Sequence, residues 1–236
     1  MDHIFNYCES LTTLDVSNWD TSNVTNMGYA FNYCKLLTTL DVSNWNTSEV
    51  TNMNYMFDYC ESLTTLDVSN WDTSNVTNMG WMFNYCHSLT TLNVTNWNTN
   101  KVTDTGSMFQ NNSKLKSLDV SNWDTSSVTN MGWMFWGCGE LETIDCSKWD
   151  VSKVISFHHL FAHCYKLKTI GVENWDVSSA ETLNACFHGT ANEYLDLSKW
   201  NVSKCLNFSQ MFEKNYHLKK IKGLENWDTS AGKAFS

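Results

Sequence analysis

The sequence predicts an α/β repeat fold, a solenoid of about nine coils with a parallel β-sheet on one face and short helices on the other. Three observations predict it. Tryptophans recur every 26 residues at Trp19, Trp45, Trp71, Trp97, Trp123, Trp149 and Trp175, then at Trp200 and Trp227 after steps of 25 and 27, so one supersecondary unit is copied along the chain. A Leu-x-x-Leu-x-Val pattern returns in each unit, as at Leu37, Leu40 and Val42. An apolar set then follows at i, i+3, i+4 and i+7, as at Met79, Met82, Phe83 and Cys86.

Each unit opens on a strand. Leu40 and Val42, or Leu66 and Val68, alternate with a polar residue, the period of a pleated chain with one face inward. Threonine and valine suit that surface. Equivalent strands 26 residues apart pair in parallel at about 4.8 Å, and parallel neighbours require a long crossover. The crossover begins with Ser-Asn-Trp-Asp-Thr-Ser-x-Val, whose Ser, Asn and Asp mark a turn and whose Trp and Val (Val50, Val76, Val102) point inward. The Met-Phe-Cys segment closes the unit and has the spacing of a two-turn helix face, with Thr77 or Asn78 as its N-cap. The phenylalanine column, Phe5 through Phe57 and Phe109 to Phe212, is a core spine. A unit this small closes its core only against its neighbours. Nine such strands give a rod roughly 40 Å long.

Residues 1–236 read as a single solenoid, regular over 1–186 and divergent over 187–236. There Trp200 arrives early, Gly189-Thr190-Ala191 replaces the usual segment, and Ile221-Lys222-Gly223-Leu224 carries an extra residue; these coils are expected to act as a cap. The N-terminal coil shows no such divergence. Its edge is expected to continue into further sequence or to pair end to end with another chain.

Composition narrows the function. The net charge is -10, all 15 basic residues are lysine, and no arginine supplies bidentate phosphate or guanine contacts, which argues against nucleic-acid binding. Residues 1–100 hold one lysine, Lys35, against ten acids, whereas 101–236 hold fourteen lysines against fifteen. No apolar run is long enough to cross a bilayer, and Met1-Asp2-His3-Ile4-Phe5 reads as the middle of a repeat rather than as an export signal, so the chain is expected to begin inside a larger protein and its start says nothing about export.

Met-Phe-x-x-Cys-x-x-Leu-x-x-Leu-Asp-Val-Ser-Asn-Trp-Asp-Thr-Ser-x-Val-Thr-x-Met, repeated from Phe5 to about Thr229, resembles the BspA-like leucine-rich-repeat surface proteins of bacteria. The resemblance implies a right-handed leucine-rich-repeat solenoid, a cell-surface or secreted location and a role in adhesion. Asn112 for cysteine, Thr105 for methionine and the shortened unit near Gly189 depart from the pattern.

Several columns could carry chemistry. Cys8, Cys34, Cys60, Cys86, Cys138 and Cys164 share one, with Asn112 in the gap; Cys and Asn there read as inward side chains bonded to loop backbone. Buried free thiols are the expectation, with no cofactor and no metal. Asp15, Asp41, Asp67, Asn93, Asp119, Asp145 and Asp196 form a second column, broken by Gly171. It faces solvent on the sheet as a cation-attracting strip or a groove for a basic or hydroxylated ligand, beside a threonine column from Thr13 to Thr169. The aromatic pairs Tyr29 and Tyr33, Tyr55 and Tyr59, and Trp81 and Tyr85 lie at i, i+4 and flank the apolar helix face, with Trp133 resuming the stripe. Amphipathic rings suit sugar and protein contacts, and they equally stack on one another over the core edge. His158, His159 and His163 crowd one segment, with His159 and His163 four apart, a spacing that on a helix can hold a metal. No nucleophile or phosphate-loop motif occurs.

The expected function is non-catalytic: a binding or adhesion segment of a bacterial surface protein that engages a protein or glycan through extended solenoid faces. The alternatives are a structural spacer without a ligand and, because free cysteines suit a reducing compartment, an intracellular interaction scaffold.

Overall fold

Like residues do pile over like. In the computed structural model, which describes all of residues 1–236, the rings of Phe31, Phe57 and Phe83 lie face to face at centroid spacings of 5.5 and 5.6 Å, with planes within 5°. The tryptophans form a second ladder, Trp71 over Trp97 at 6.4 Å and 1°. One contiguous core runs from Val16 to Met211.

Polar atoms that the core must bury are satisfied between coils. From Trp45 onward each indole N–H of this ladder reaches back to the preceding coil, Trp71 to the Val42 carbonyl at 3.1 Å and Trp97 to that of Val68 at 3.0 Å. An indole N–H left without such an acceptor would cost about 1–3 kcal/mol. Buried threonines do the same work forward: Thr73 Oγ1 donates to the Asn98 carbonyl at 2.9 Å. In the cysteine column each thiol from Cys34 to Cys164 donates to a phenylalanine carbonyl of the previous coil, Cys60 to Phe31 at 3.2 Å and Cys86 to Phe57 at 3.1 Å. Asn112 fills the same role, donating to both Phe83 and Phe109 at 2.8 Å, so the shared role of Cys and Asn holds. All nine cysteines are free, and burial pushes the Cys138 thiol up to about 12, which leaves it unreactive. A thiol reagent is therefore expected to label only the half-buried Cys8 in the native chain and the other eight on unfolding; prompt native labelling of Cys60 or Cys86 would contradict this.

The sheet is present in reduced form. The threonine column pairs in parallel at isolated points, Thr39 with Thr65, Thr91 with Ser117 and Thr143 with Thr169. It becomes continuous only between β1 (Tyr194–Asp196) and β2 (Lys220–Lys222), which run parallel with Leu195 opposite Ile221. A second parallel ladder, which the sequence reading missed, runs unbroken from Asn26 through Asn52, Asn78 and Asp104 to Ala234.

The helices are absent. The only helical element is one 3-10 turn, Leu224–Asn226. The Met-Phe-Cys arc is instead a series of overlapping turns: Met56 N–H bonds to the Met53 carbonyl, Asp58 to Tyr55 and Cys60 to Phe57. The intervening N–H groups of Met53, Tyr55, Phe57 and Tyr59 bond to Asn78, Gly80, Met82 and Asn84 of the next coil at 2.8–3.0 Å. Neither Thr77 nor Asn78 caps a helix, because none follows: Asn78 Oδ1 accepts from Gly80 N–H two residues on, at 2.9 Å, closing an Asx turn, and Thr77 Oγ1 donates to the Thr51 carbonyl at 3.1 Å. The physical reason is width. An α-helix is about 10 Å across and fits a strand-spaced stack only if the coils fan apart on its side, whereas here parallel bridges hold both arcs close. A flat arc fits that spacing, and its backbone then bonds to its neighbours.

Candidate functional site

The turn arc has a cost that the sequence does not advertise. Sixteen residues other than glycine hold positive φ, all in two columns. One contains Tyr29, Tyr55, Trp81, Ser107, Trp133 and His159; the other contains Tyr7, Tyr33, Tyr59, Tyr85, Asn111 and His163. Tyr55 and Tyr59 occupy the third position of their turns, where a type II geometry requires φ above zero. A left-handed non-glycine residue costs about 1–2 kcal/mol. The return is stacking: Tyr33 on Tyr59 and Tyr59 on Tyr85 at 4.3 Å, Tyr29 on Tyr55 at 4.5 Å, Tyr55 on Trp81 at 4.9 Å. Each such pair contributes about 0.5–1.5 kcal/mol, and the coil-to-coil backbone bond at the same residue a similar amount. The signal for this geometry was in the column itself, because Asn111, Gly137 and Gly189 substitute for tyrosine there and Gly137 and Gly189 share the positive φ.

The predicted aromatic residues are thus brought together, though not on helices. Tyr29, Tyr33, Tyr55, Tyr59, Trp81 and Tyr85 are all half-buried, with their flat faces taken by one another. What they offer solvent is a ribbon of ring edges and hydroxyls. Burial above all, then Tyr29 and Asp58 nearby, pushes the Tyr55 hydroxyl up to about 12. Trp133 differs: it is 39% exposed, with His158 edge-on at 4.2 Å and His159 stacked at 5.8 Å.

The helical spacing that could have paired His159 with His163 is gone, since the two stand in separate columns. His163 lies instead beside His188, with centroids 4.8 Å apart. Burial and the neighbouring imidazoles push His159 down to about 4, and burial lowers His188 as well. No three metal-ligating side chains converge anywhere in the chain.

The aspartate column lines a shallow trough of about 760 Å³ that crosses the first five coils. Its floor is Leu14, Leu40, Leu66 and Leu92, and its walls include Thr39, Thr65, Thr91, Asp15, Asp41, Asp67 and Asp119, with no basic residue. Each aspartate anchors a turn: Asp41 Oδ1 accepts from the Ser43 hydroxyl at 2.7 Å and from its N–H at 3.1 Å, and Asp15 and Asp67 do the same with Ser17 and Ser69. These serine bonds hold Asp15, Asp67 and Asp119 below the ordinary carboxylate range. Asp15, Asp67 and Asp119 therefore stay ionised at neutral pH, and a second oxygen is free of protein partners at Asp15, Asp41 and Asp67. Neighbours about 5 Å apart in water repel by less than about 1 kcal/mol, while the row as a whole sets up a negative field. None of the stacked aromatics lines the trough, so the two candidate surfaces lie on different arcs of the coil.

Comparison with known proteins adds the following. No curated protein matches. Among solved structures, a leucine-rich cell surface protein from Faecalibacterium prausnitzii is 18% identical over 94% of this chain and 75% of its own, with a TM-score of 0.32. A leucine-rich repeat protein from Bacteroides ovatus is 15% identical over 100% of this chain and 80% of its own, with a TM-score of 0.30. The functional domain of InlJ from Listeria monocytogenes, described as including a cysteine ladder, is 19% identical over 89% and 59%, with a TM-score of 0.19. At these scores the superpositions carry no argument about function. No helix is long and apolar enough to cross a membrane. A family model matches residues 1–117, 88–170 and 156–236, which together span the chain, and the chain therefore belongs to the family described as Mycoplasma protein of unknown function, DUF285.

Proposed function

We propose that the chain is a non-catalytic binding segment of a bacterial surface protein, and that the threonine–aspartate trough is the face that engages a protein or glycan. One observation carries the reading: a continuous concavity with an apolar floor, hydroxyl and carboxylate walls and no cation. Its chemistry fits a basic or hydroxylated partner, held by many shallow contacts as extended repeat surfaces hold theirs. We take the stack as right-handed, the sense that parallel crossovers overwhelmingly adopt, and as a variant of the BspA-like leucine-rich-repeat architecture with turns in place of helices.

The test is a binding screen of the whole chain against matrix proteins and glycans, repeated with Asp15, Asp41 and Asp67 all changed to asparagine. The substitution keeps an acceptor for each serine and removes the charge. A trough ligand is expected to lose at least about tenfold in affinity and to weaken with added salt. A ligand whose affinity is unchanged in the triple variant binds elsewhere.

A second reading, a stiff spacer, is supported by a different observation: ring faces that could have met a partner are used up between coils. A screen in which nothing binds would favour it.

A further inference from the structure

The eighth unit is one residue short, and the shortening opens a cleft. In the seventh coil Cys164 and Ile170 are six residues apart with Leu167 between them, whereas Thr190 and Leu195, which take the same places in the eighth, are five apart with no leucine between. Ala191 crosses that arc, its N–H bonded to the Leu167 carbonyl at 2.9 Å. Above it lies a recess of about 560 Å³ whose walls include Tyr165, Tyr194, Lys168 and His217. Past Tyr194 a second recess of about 360 Å³ opens where Gly171 interrupts the aspartate column.

Tyr165 and Tyr194 present free ring surface, at 59% and 49% exposure, unlike the stacked tyrosines of the earlier coils. Their hydroxyls are tethered, Tyr165 to His163 Nδ1 at 2.5 Å and Tyr194 to Asp196 at 3.4 Å. The second recess also holds an orphan. Asn192 is 2% exposed and donates to the Lys168 carbonyl at 2.7 Å, yet its Oδ1 has no partner. Such an acceptor carries a desolvation cost that a bound donor would relieve. The charges near the cleft come in pairs: Lys166 with Glu140 at 2.7 Å, Lys168 with Glu142 at 3.9 Å, Lys219 with Glu193 at 2.8 Å.

We propose that this cleft is a carbohydrate subsite for a neutral pyranoside, a proposal that rests on the binding reading above and gives its glycan arm a place. The apolar face of a sugar ring matches a tethered tyrosine ring. Each sugar hydroxyl both donates and accepts, and paired ammonium and carboxylate groups offer both partners side by side. Because every lysine named here already faces a glutamate, an anionic sugar gains no unneutralised cation. A few directed polar groups around an aromatic-lined hollow are what small-ligand sites use.

The experiment is an NMR titration of the full chain with cellotetraose, maltotetraose, chitotetraose and mannotetraose, following backbone amides at Thr169 and Ala191 in the cleft and at Thr39 and Thr65 in the trough. At least one sugar is expected to give saturable shifts at Thr169 and Ala191. That affinity should fall at least about tenfold in Tyr194→Ala, and equally in Ala191→Leu, which fills the recess and keeps both tyrosines. Tyr216→Ala, at an 85% exposed tyrosine outside the cleft, should leave it unchanged. Shifts confined to Thr39 and Thr65 would overturn the cleft and leave the trough reading standing. Silence at Thr169 and Ala191 with all four sugars, or undiminished binding in Ala191→Leu, overturns the proposal outright.

Discussion

Changing Asp58 to asparagine is expected to stabilise the folded chain by roughly 3–4 kcal/mol at pH 8 and to leave it nearly unchanged at pH 4. Asp58 is a buried carboxyl in a column of amides. Asn32 Nδ2 donates back to Asn6 Oδ1 at 3.0 Å, and Asn84 Nδ2 donates back to Asp58 Oδ1 at 2.8 Å. An aspartate continues this chain of donors only as the neutral acid, and Asn32 Oδ1, the acceptor it would serve, has no other partner. Burial raises the Asp58 carboxyl to about 7, with the Asn84 bond opposing. The folded value therefore lies above the unfolded one, and the column is fully intact below the unfolded value near 3.8. As pH rises the unfolded chain ionises first, so stability falls from about pH 4 until the folded carboxyl also ionises near 7. Asparagine donates at every pH and removes the slope. Urea denaturation of both proteins across pH 4–8 measures it, and parallel pH profiles would rule the neutral-acid account out.

Phe83→Ala is the second large effect, a loss of about 3–5 kcal/mol. Phe83 is fully buried, stacked between Phe57 at 5.6 Å and Phe109 at 5.8 Å, with Trp97 at 6.2 Å. In a stack held by nearest neighbours a weak central interface does more than lower stability, because the coils on either side can melt separately. Denaturation followed by tryptophan fluorescence is expected to change from one transition to two. Phe5→Ala, at a half-buried ring with a stacked phenylalanine on one side only, should cost less and keep a single transition. A cost below about 1 kcal/mol at Phe83 would mean that the rings align without carrying the core.

The candidate trough was legible in the residues because Asp41 and Asp67 alternate with Leu40, Val42, Leu66 and Val68, and period-two alternation fixes which side faces water. The serine clamps at Ser43 and Ser69 were not, since a recurring Asp-x-Ser is equally compatible with side chains that face water separately. The aromatic residues were found for the wrong reason. Tyr55 and Tyr59 sit four apart, which reads as one helical face, yet they come together with their equivalents in the next coil and not with each other. The cleft at Ala191 was visible only as a missing residue. That two tyrosines and an unpartnered Asn192 stand beside it is a tertiary fact.

By itself, then, the sequence determined the repeat length, the register and the list of inward residues, including the exchange of Asn112 for cysteine. All of these follow from identity between positions 26 apart. The tertiary structure alone decided where the backbone of the Met-Phe-Cys arc sends its hydrogen bonds. The i, i+3, i+4 spacing is compatible with bonding inside a helix or across to the next coil. The choice fell to a stack spaced near 4.8 Å on both arcs, too narrow for a cylinder about 10 Å wide.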